Sequence, residues 1–314
     1  MKFGMQPPNS GPFATPEFIT ELAELGDQLG YDSLQVTDHI IIPAEIRSRY
    51  PYNATGVMAA HPENDYYEPI SLLAYLIGRT RRIRLGTSVL ILPYRNPILA
   101  AKQLACMDQL SGGRIVLGVG VGWMEEEFRI LGSPPFAERG AVTDEYIQTF
   151  RRIWREGTTA LTGRYTSAPE IGVNPRPAQP GGIPIIVGGI TRPAIRRAAR
   201  LGDGWQPFKL TPDELIAGLN YLRAQAQRSG RDLSGFTISL RLSLRMTREP
   251  AERRPDEEPW KTLVGPARDV LTHLRTYRDL GVTEVVFDFR TCRPEEMRET
   301  LRLCAEQIIP AFRG

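Results

Sequence analysis

Cysteine is scarce in this 314-residue chain, and its three copies, Cys106, Cys292 and Cys304, are odd in number and show no C-x-x-C spacing. That excludes a disulfide framework and a zinc ribbon and leaves reduced, structural thiols. Histidine is as rare. His39, His61 and His273 lie far apart with few carboxylates near them in sequence, so no metal cage is expected. Lysine occurs only at Lys2, Lys102, Lys209 and Lys261. The arginines that supply the other positive charges are scattered among acids, the net charge is only +3, and no basic block carries interleaved aromatics. Nucleic acid is therefore not an expected partner. No run approaches the roughly 20 apolar residues of a bilayer span, and the opening MKFGMQPPNSG lacks the apolar stretch of a signal peptide. The expectation is a cytoplasmic protein with no membrane contact, acting on a small molecule.

What the chain does have is alternation. Short apolar runs at 2–6, 33–37, 83–90, 115–118, 183–187, 204–207, 236–242 and 284–288 alternate with longer amphipathic segments at 15–29, 69–79, 97–110, 142–156, 193–200, 212–228, 267–280 and 294–312. Each predicted strand is followed by a predicted helix, the signature of a βα repeat. Eight such units let a parallel sheet close on itself and lose both edges. The fold class expected is therefore α/β, a single (β/α)8 TIM barrel spanning residues 1–314. Thr15, Asn96, Thr211 and Gly265 each precede a proline, as caps ahead of an early-helix proline do. Gly30, Gly202, Gly230 and Gly281 stand where helices should stop. Two connections exceed an ordinary loop: 40–67 after the second strand and 157–182 before the fifth. The first follows the C-terminal end of a strand and should rise over the barrel mouth. The charged, proline-rich segment 248–260 reads as either a mobile flap or a disordered loop.

Chemistry in such barrels sits at the C-terminal ends of the strands. The second predicted strand ends in Asp38-His39, which makes His39 the leading acid/base candidate, with Asp38 able to orient its neighbours. In extended backbone the two side chains point to opposite faces, so a direct bond between them does not follow. A strand-end histidine bonded to a carbonyl is the plainer alternative. The run Gly118-Val119-Gly120-Val121-Gly122-Trp123 is not a dinucleotide fingerprint, because Trp123 stands where the third glycine is required. These glycines read as a place where a flat ring or phosphate approaches the backbone, or simply as a tight turn. After the fifth strand, Gly188-Gly189-Ile190-Thr191 leads into a helix whose first turns carry Arg192, Arg196 and Arg197. Cations are misplaced at the positive end of a helix dipole unless an anion is bound there, or unless the arginines simply point into solvent. Free N–H groups at Gly189 and Ile190, with the Thr191 hydroxyl, suit a phosphate.

Taken together, Thr37-Asp38-His39, Glu68-Pro69, Leu85-Gly86-Thr87-Ser88-Val89, the run from Asp108 to Trp123, Val187-Gly188-Gly189 and Asp203-Gly204-Trp205 resemble the luciferase-like flavin and deazaflavin oxidoreductases, and most of all their coenzyme F420-dependent branch. The resemblance implies a barrel, often a homodimer, that passes a hydride to or from C5 of the deazaflavin. It places the coenzyme ring against a bulge at Ser88 and Val89, where the family has a non-proline cis peptide. Val121 and Gly122 would line the coenzyme, Gly188, Gly189, Thr191 and Arg192 would hold its phosphate, and Asp38 and His39 would lie near the ring. FMN with dioxygen, in a monooxygenase, is the alternative chemistry of the same barrel. A catalytically silent coenzyme-binding barrel is a third. The F420-dependent sugar-phosphate dehydrogenases of the family have a glutamate where this chain has Trp123 and a tryptophan where it has Pro43, so their substrate is not carried over. His39 is then the remaining proton donor or acceptor, and Glu125 to Glu127 either supply a carboxylate or, as acids in a first helical turn usually do, only partner the dipole. On this reading strands two to five supply nearly all the chemistry, and the other half of the barrel is scaffold.

Overall fold

Local signals at the helix starts act as their chemistry dictates. In the computed structural model, which describes residues 1–53, 55–58, 60–289 and 292–313, the Thr15 hydroxyl accepts from Phe18 N–H at 3.2 Å, and Asn96 Oδ1 accepts from Ile98 and Leu99 N–H. Thr211 and Glu214 form a reciprocal capping box. Gly265 does not cap: Pro266 takes that position without a side-chain bond, and Gly265 ends a short strand instead. Gly30, Gly230 and Gly281 have φ of +81°, +63° and +101°, as helix stops require, whereas Gly202 is extended.

The elements are β1 (Lys2–Gln6), α1 (Pro16–Leu29), β2 (Ser33–Val36), α2 (Pro69–Arg79), β3 (Arg84–Thr87), β4 (Leu90–Ile91), α3 (Pro97–Ser111), β5 (Ile115–Gly120), α4 (Glu125–Ile130) and α5 (Arg139–Glu156). They continue with β6 (Thr158–Thr162), β7 (Ser167–Gly172), β8 (Ile185–Gly188), α6 (Arg192–Leu201), β9 (Gly204–Gln206), α7 (Pro212–Arg228), β10 (Thr237–Met246), β11 (Thr262–Gly265), α8 (Ala267–Asp279), β12 (Glu284–Asp288) and α9 (Pro294–Leu303). The barrel order is β1, β2, β3 with β4, β5, β8, β9, β10, β12, all parallel. Pairing of β12 with β1, from Lys2 with Glu284 to Gln6 with Asp288, closes the cylinder. The expected (β/α)8 barrel is thus present. The strand expected at 83–90 is interrupted, because β3 and β4 flank a cis peptide between Ser88 and Val89.

Four aspartates tie the bottom of the barrel. Strand starts need acceptors for backbone N–H groups that the sheet has not yet paired. Asp32 accepts from Phe3, Asp27 from Ile83, Asp108 from Ile115 and Asp203 from Ile185, at 2.7–3.3 Å. The 157–182 connection contains the antiparallel hairpin β6–β7. Its turn is pinned to α5 by Glu145, which accepts from the N–H groups of Arg164, Tyr165 and Thr166. The 248–260 segment is held down too: Glu257, 3% exposed, takes a two-pronged ion pair from Arg245 of β10. The last helix ends at Leu303 and passes through a π turn (Cys304–Ile308) into a 3-10 turn containing Pro310. Proline cannot donate to a continuing α-helical ladder. No helix among the described residues is long and apolar enough to cross a membrane.

Candidate active site at the barrel mouth

His39 lies just beyond β2, buried at the mouth. Its Nδ1 is 2.6 Å from Oε2 of Glu127, a fully buried carboxylate on α4. The same carboxylate accepts the Tyr94 hydroxyl at 2.8 Å and the N–H groups of Ile40 and Ile41 at 2.7 and 3.2 Å. Burial, then the charge of Glu127, pushes the Tyr94 phenol well above its ordinary range, so it remains a donor. A carboxylate accepts only, so the imidazole donates from Nδ1 and leaves its other nitrogen, Nε2, for another partner. The ring is wedged edge-on between Tyr66 and Trp123, with centroids 5.4 and 6.0 Å away. Of the three acids Glu125 to Glu127, which the sequence offers as a carboxylate source or as plain dipole partners, Glu127 is the one that reaches His39. Three consecutive acids, Glu125 to Glu127, are spaced 100° apart on a helix, so they cannot all face solvent, and that was the available signal.

Asp38 and His39 do diverge. Asp38 makes a bidentate pair with Arg95, at 2.6 and 2.9 Å, and accepts from Ile91 N–H at 2.8 Å. Arg95 also bonds Glu68 at 2.7 Å, which links the Asp38-His39 and Glu68-Pro69 segments. Burial raises the Asp38 carboxyl, against the pull of Arg95. All of its contacts fix the chain after Val89, and none reaches His39.

The glycine-rich run serves packing. A Cβ on Gly118 would sit 2.0 Å from the Thr87 carbonyl oxygen, one on Gly120 would sit 2.3 Å from Val89 Cγ2, and one on Gly188 would sit 2.4 Å from Val89 Cγ1. Gly122, with φ of +81°, abuts Phe128. Protein atoms therefore occupy the Cβ positions that these glycines leave open. Val89 is the wedge between β5 and β8. Val121 and Gly122 are half-buried on the turn that leads to Trp123.

The turn after β8 is partly spent. Gly189 N–H donates to the Gln206 carbonyl at 3.2 Å, and its own carbonyl accepts from Trp205 Nε1 at 2.7 Å. It is therefore not the free donor expected. Arg197 is buried against Asp144 and the Gly140 carbonyl, and so belongs to helix packing. Ile190, the Thr191 hydroxyl and Arg192 remain exposed at the start of α6. Thr191 holds the cap position without making a capping bond, and Arg192 lies over the Tyr221 ring at 5.5 Å.

The mouth is not confined to strands two to five. Arg241 of β10 spans from Asp288 of β12, at 2.9 Å, to the Ser88 carbonyl, at 3.1 Å. The Ser88 hydroxyl bonds Gln206 of β9, which bonds Gln35 and Ser239 in turn. Ser239 and Ser33 close on Glu284 lower in the barrel. Gln6, at the end of β1, is 1% exposed, and neither side-chain atom finds a partner among the described residues. Above this floor the 40–67 insertion sets an aromatic row: Tyr50 packs edge-on against Trp123 and Tyr52, and Tyr52 against Phe208. The insertion does rise over the mouth; Ser10 and Tyr66 form an antiparallel bridge, and Tyr66 bonds Thr37 at 2.5 Å.

The sequence and the fold both have known counterparts. The luciferase-like monooxygenase family model matches residues 2–260. The chain belongs to that family. It is 35% identical over 265 residues to an uncharacterized protein of Mycobacterium tuberculosis, covering 79% of this chain and 91% of that one. An F420-dependent glucose-6-phosphate dehydrogenase of Amycolatopsis mediterranei is 29% identical over 245 residues, 75% of this chain and 68% of the relative. An FMNH(2)-dependent dimethylsulfone monooxygenase of Pseudomonas putida is 29% identical over 188 residues, 59% and 52% of the two chains. The crystal structure of the monooxygenase RslO1 from Streptomyces bottropensis superposes with a TM-score of 0.81 at 23% identity, covering 99% of this chain and all of that one, a likeness of fold. Relatives of this luciferase-like barrel thus use either F420 or FMN.

Proposed function

We propose that the chain is an F420-dependent oxidoreductase that exchanges a hydride between the deazaflavin and an organic substrate, with His39 as proton donor or acceptor. The observation that carries this reading is the buried Glu127–His39 pair, which leaves Nε2 for another partner at the mouth. A group that gives or takes one proton is what a hydride exchange on a hydroxyl or carbonyl carbon requires. The residues present fit a phosphate-bearing coenzyme. Thr191 keeps its hydroxyl out of the capping bond that such a residue ordinarily makes, beside an exposed arginine at a helix start. Val121, Gly122 and the Ser88–Val89 bulge would flank the ring, and Thr191 and Arg192 would hold the phosphate. When bound, the coenzyme supplies the redox chemistry itself.

The protein's part is orientation and proton handling. Glu127 fixes the imidazole tautomer, and Tyr66 and Trp123 hold the ring plane. The 40–67 aromatics keep water from the reacting centre. FMN with dioxygen is the second reading, favoured by the flavin-dependent relative. Fluorescence titration of the protein with F420 and with FMN separates the two. Micromolar or tighter F420 binding is expected, weakened by Arg192→Ala more than binding of the dephosphorylated coenzyme is. Tight FMN binding without F420 binding would transfer the assignment to the flavin chemistry.

A further inference from the structure

Alternation along β1 fixes where Gln6 points. Phe3 stacks on Phe287 and edges Phe312, on the helix side, and Met5 packs against Gly26 of α1. Gly4 and Gln6 therefore face the barrel axis. A Cβ on Gly4 would meet the Ser33 hydroxyl that bonds Glu284. Gln6 pairs in register with Asp288 and so stands level with the Arg241 strut that reaches the Ser88 carbonyl.

Two other amides at the mouth are satisfied at both ends. Gln206 uses both of its side-chain atoms, and Asn9 binds Thr37 and Tyr67 with both of its own. Gln6 has an idle donor and an idle acceptor in a place that water scarcely reaches. Buried polar groups in native proteins are nearly always paired, so the missing partner is the informative feature. A carboxamide offers one N–H and one C=O side by side. A group that meets both at once presents the reverse arrangement, as a ring lactam or imide edge does. The pyrimidine end of both F420 and FMN is such an edge.

We infer that Gln6 is a coenzyme-binding residue that pairs with the imide edge of the ring. This rests on the proposed function, but not on which of the two coenzymes is used. Gln6→Leu, and Gln6→Met as a second apolar variant of similar length, test it by coenzyme titration. The probes are F420 and FMN and their N3-methylated derivatives, whose imide N–H is blocked. The wild type should lose roughly tenfold in affinity on methylation. The variants should bind the parent coenzyme roughly tenfold more weakly than the wild type and no longer distinguish it from the methylated form. Without coenzyme they should melt at or above the wild-type temperature, since they relieve an unpaired buried amide. Variants that bind and discriminate as the wild type does would overturn the inference, as would a loss confined to substrate KM. A wild type that binds neither coenzyme would overturn the proposed function first and this inference with it.

Discussion

At His39 the proposed proton transfer turns on which ring nitrogen is left over. Nδ1 is committed to Glu127, and Glu127 is committed to four donors, so the imidazole has no freedom to flip. Glu127→Gln keeps the volume but replaces one acceptor oxygen with a donor that cannot serve Nδ1–H, Tyr94 and two backbone amides together. The variant should lower kcat on an identified substrate by about 10- to 100-fold with little change in KM. On the proposed role of His39, Glu127 acts through it, and the double variant with His39→Ala should be no worse than His39→Ala alone. Losses that multiply would show that Glu127 acts elsewhere. His39 itself was legible in the sequence, since a histidine at the C-terminal end of a barrel strand faces the mouth whatever surrounds it. Glu127 was legible only as one of three acids, because the choice among them depends on α4 folding back under the 40–67 insertion, a tertiary contact across 88 residues.

Among the elements, β5 shows why motif reading reached the family before it reached the chemistry. Its glycines mark close approach, but sequence cannot say close approach of what. The answer is the β3–β4 junction, with Val89 pressed between Gly120 and Gly188. Valine is stiff at χ1 and here has a neighbour on each methyl, so it has nowhere to turn. Gly120→Ala should therefore destabilise the protein by about 1–3 kcal/mol, as overpacking does. Urea unfolding checks it, and an unchanged midpoint would mean that the strands part freely. Asp203-Gly204-Trp205 is scaffold in the same way: Asp203 anchors β8, and Trp205 fills the notch left by Gly218 of α7. The hairpin β6–β7 escaped detection because its second strand, SAPEIG, is largely exposed and carries no apolar alternation.

Over the whole molecule, the eight-unit rhythm was readable because each strand is a short apolar run that must be buried on both faces. The polar interior was not. It is shared among strands from both halves of the barrel, so the expected division into a chemical half and a scaffold half does not hold for the mouth. The aspartates at the opposite end give the barrel a pH signature. Burial alone would raise the Asp27 carboxyl, but N–H bonds from Ile83, Arg81 and Arg82 bring it below its ordinary value. A folded-state value below the unfolded one adds stability that is present above about pH 4 and lost as the pH falls through the folded value. Asp27→Asn should thus cost about 1–3 kcal/mol at pH 7. Its deficit should narrow below about pH 4, as thermal melts across pH 3 to 7 would show; a constant deficit would assign the loss to packing. The Val89 wedge has a further consequence, for descent. Positions 89, 120 and 188 share one small volume though they lie up to a hundred residues apart, so lineages cannot revise them independently. A relative that has traded this valine for alanine gains licence for a methyl at one of the two glycines, and one that keeps the valine does not.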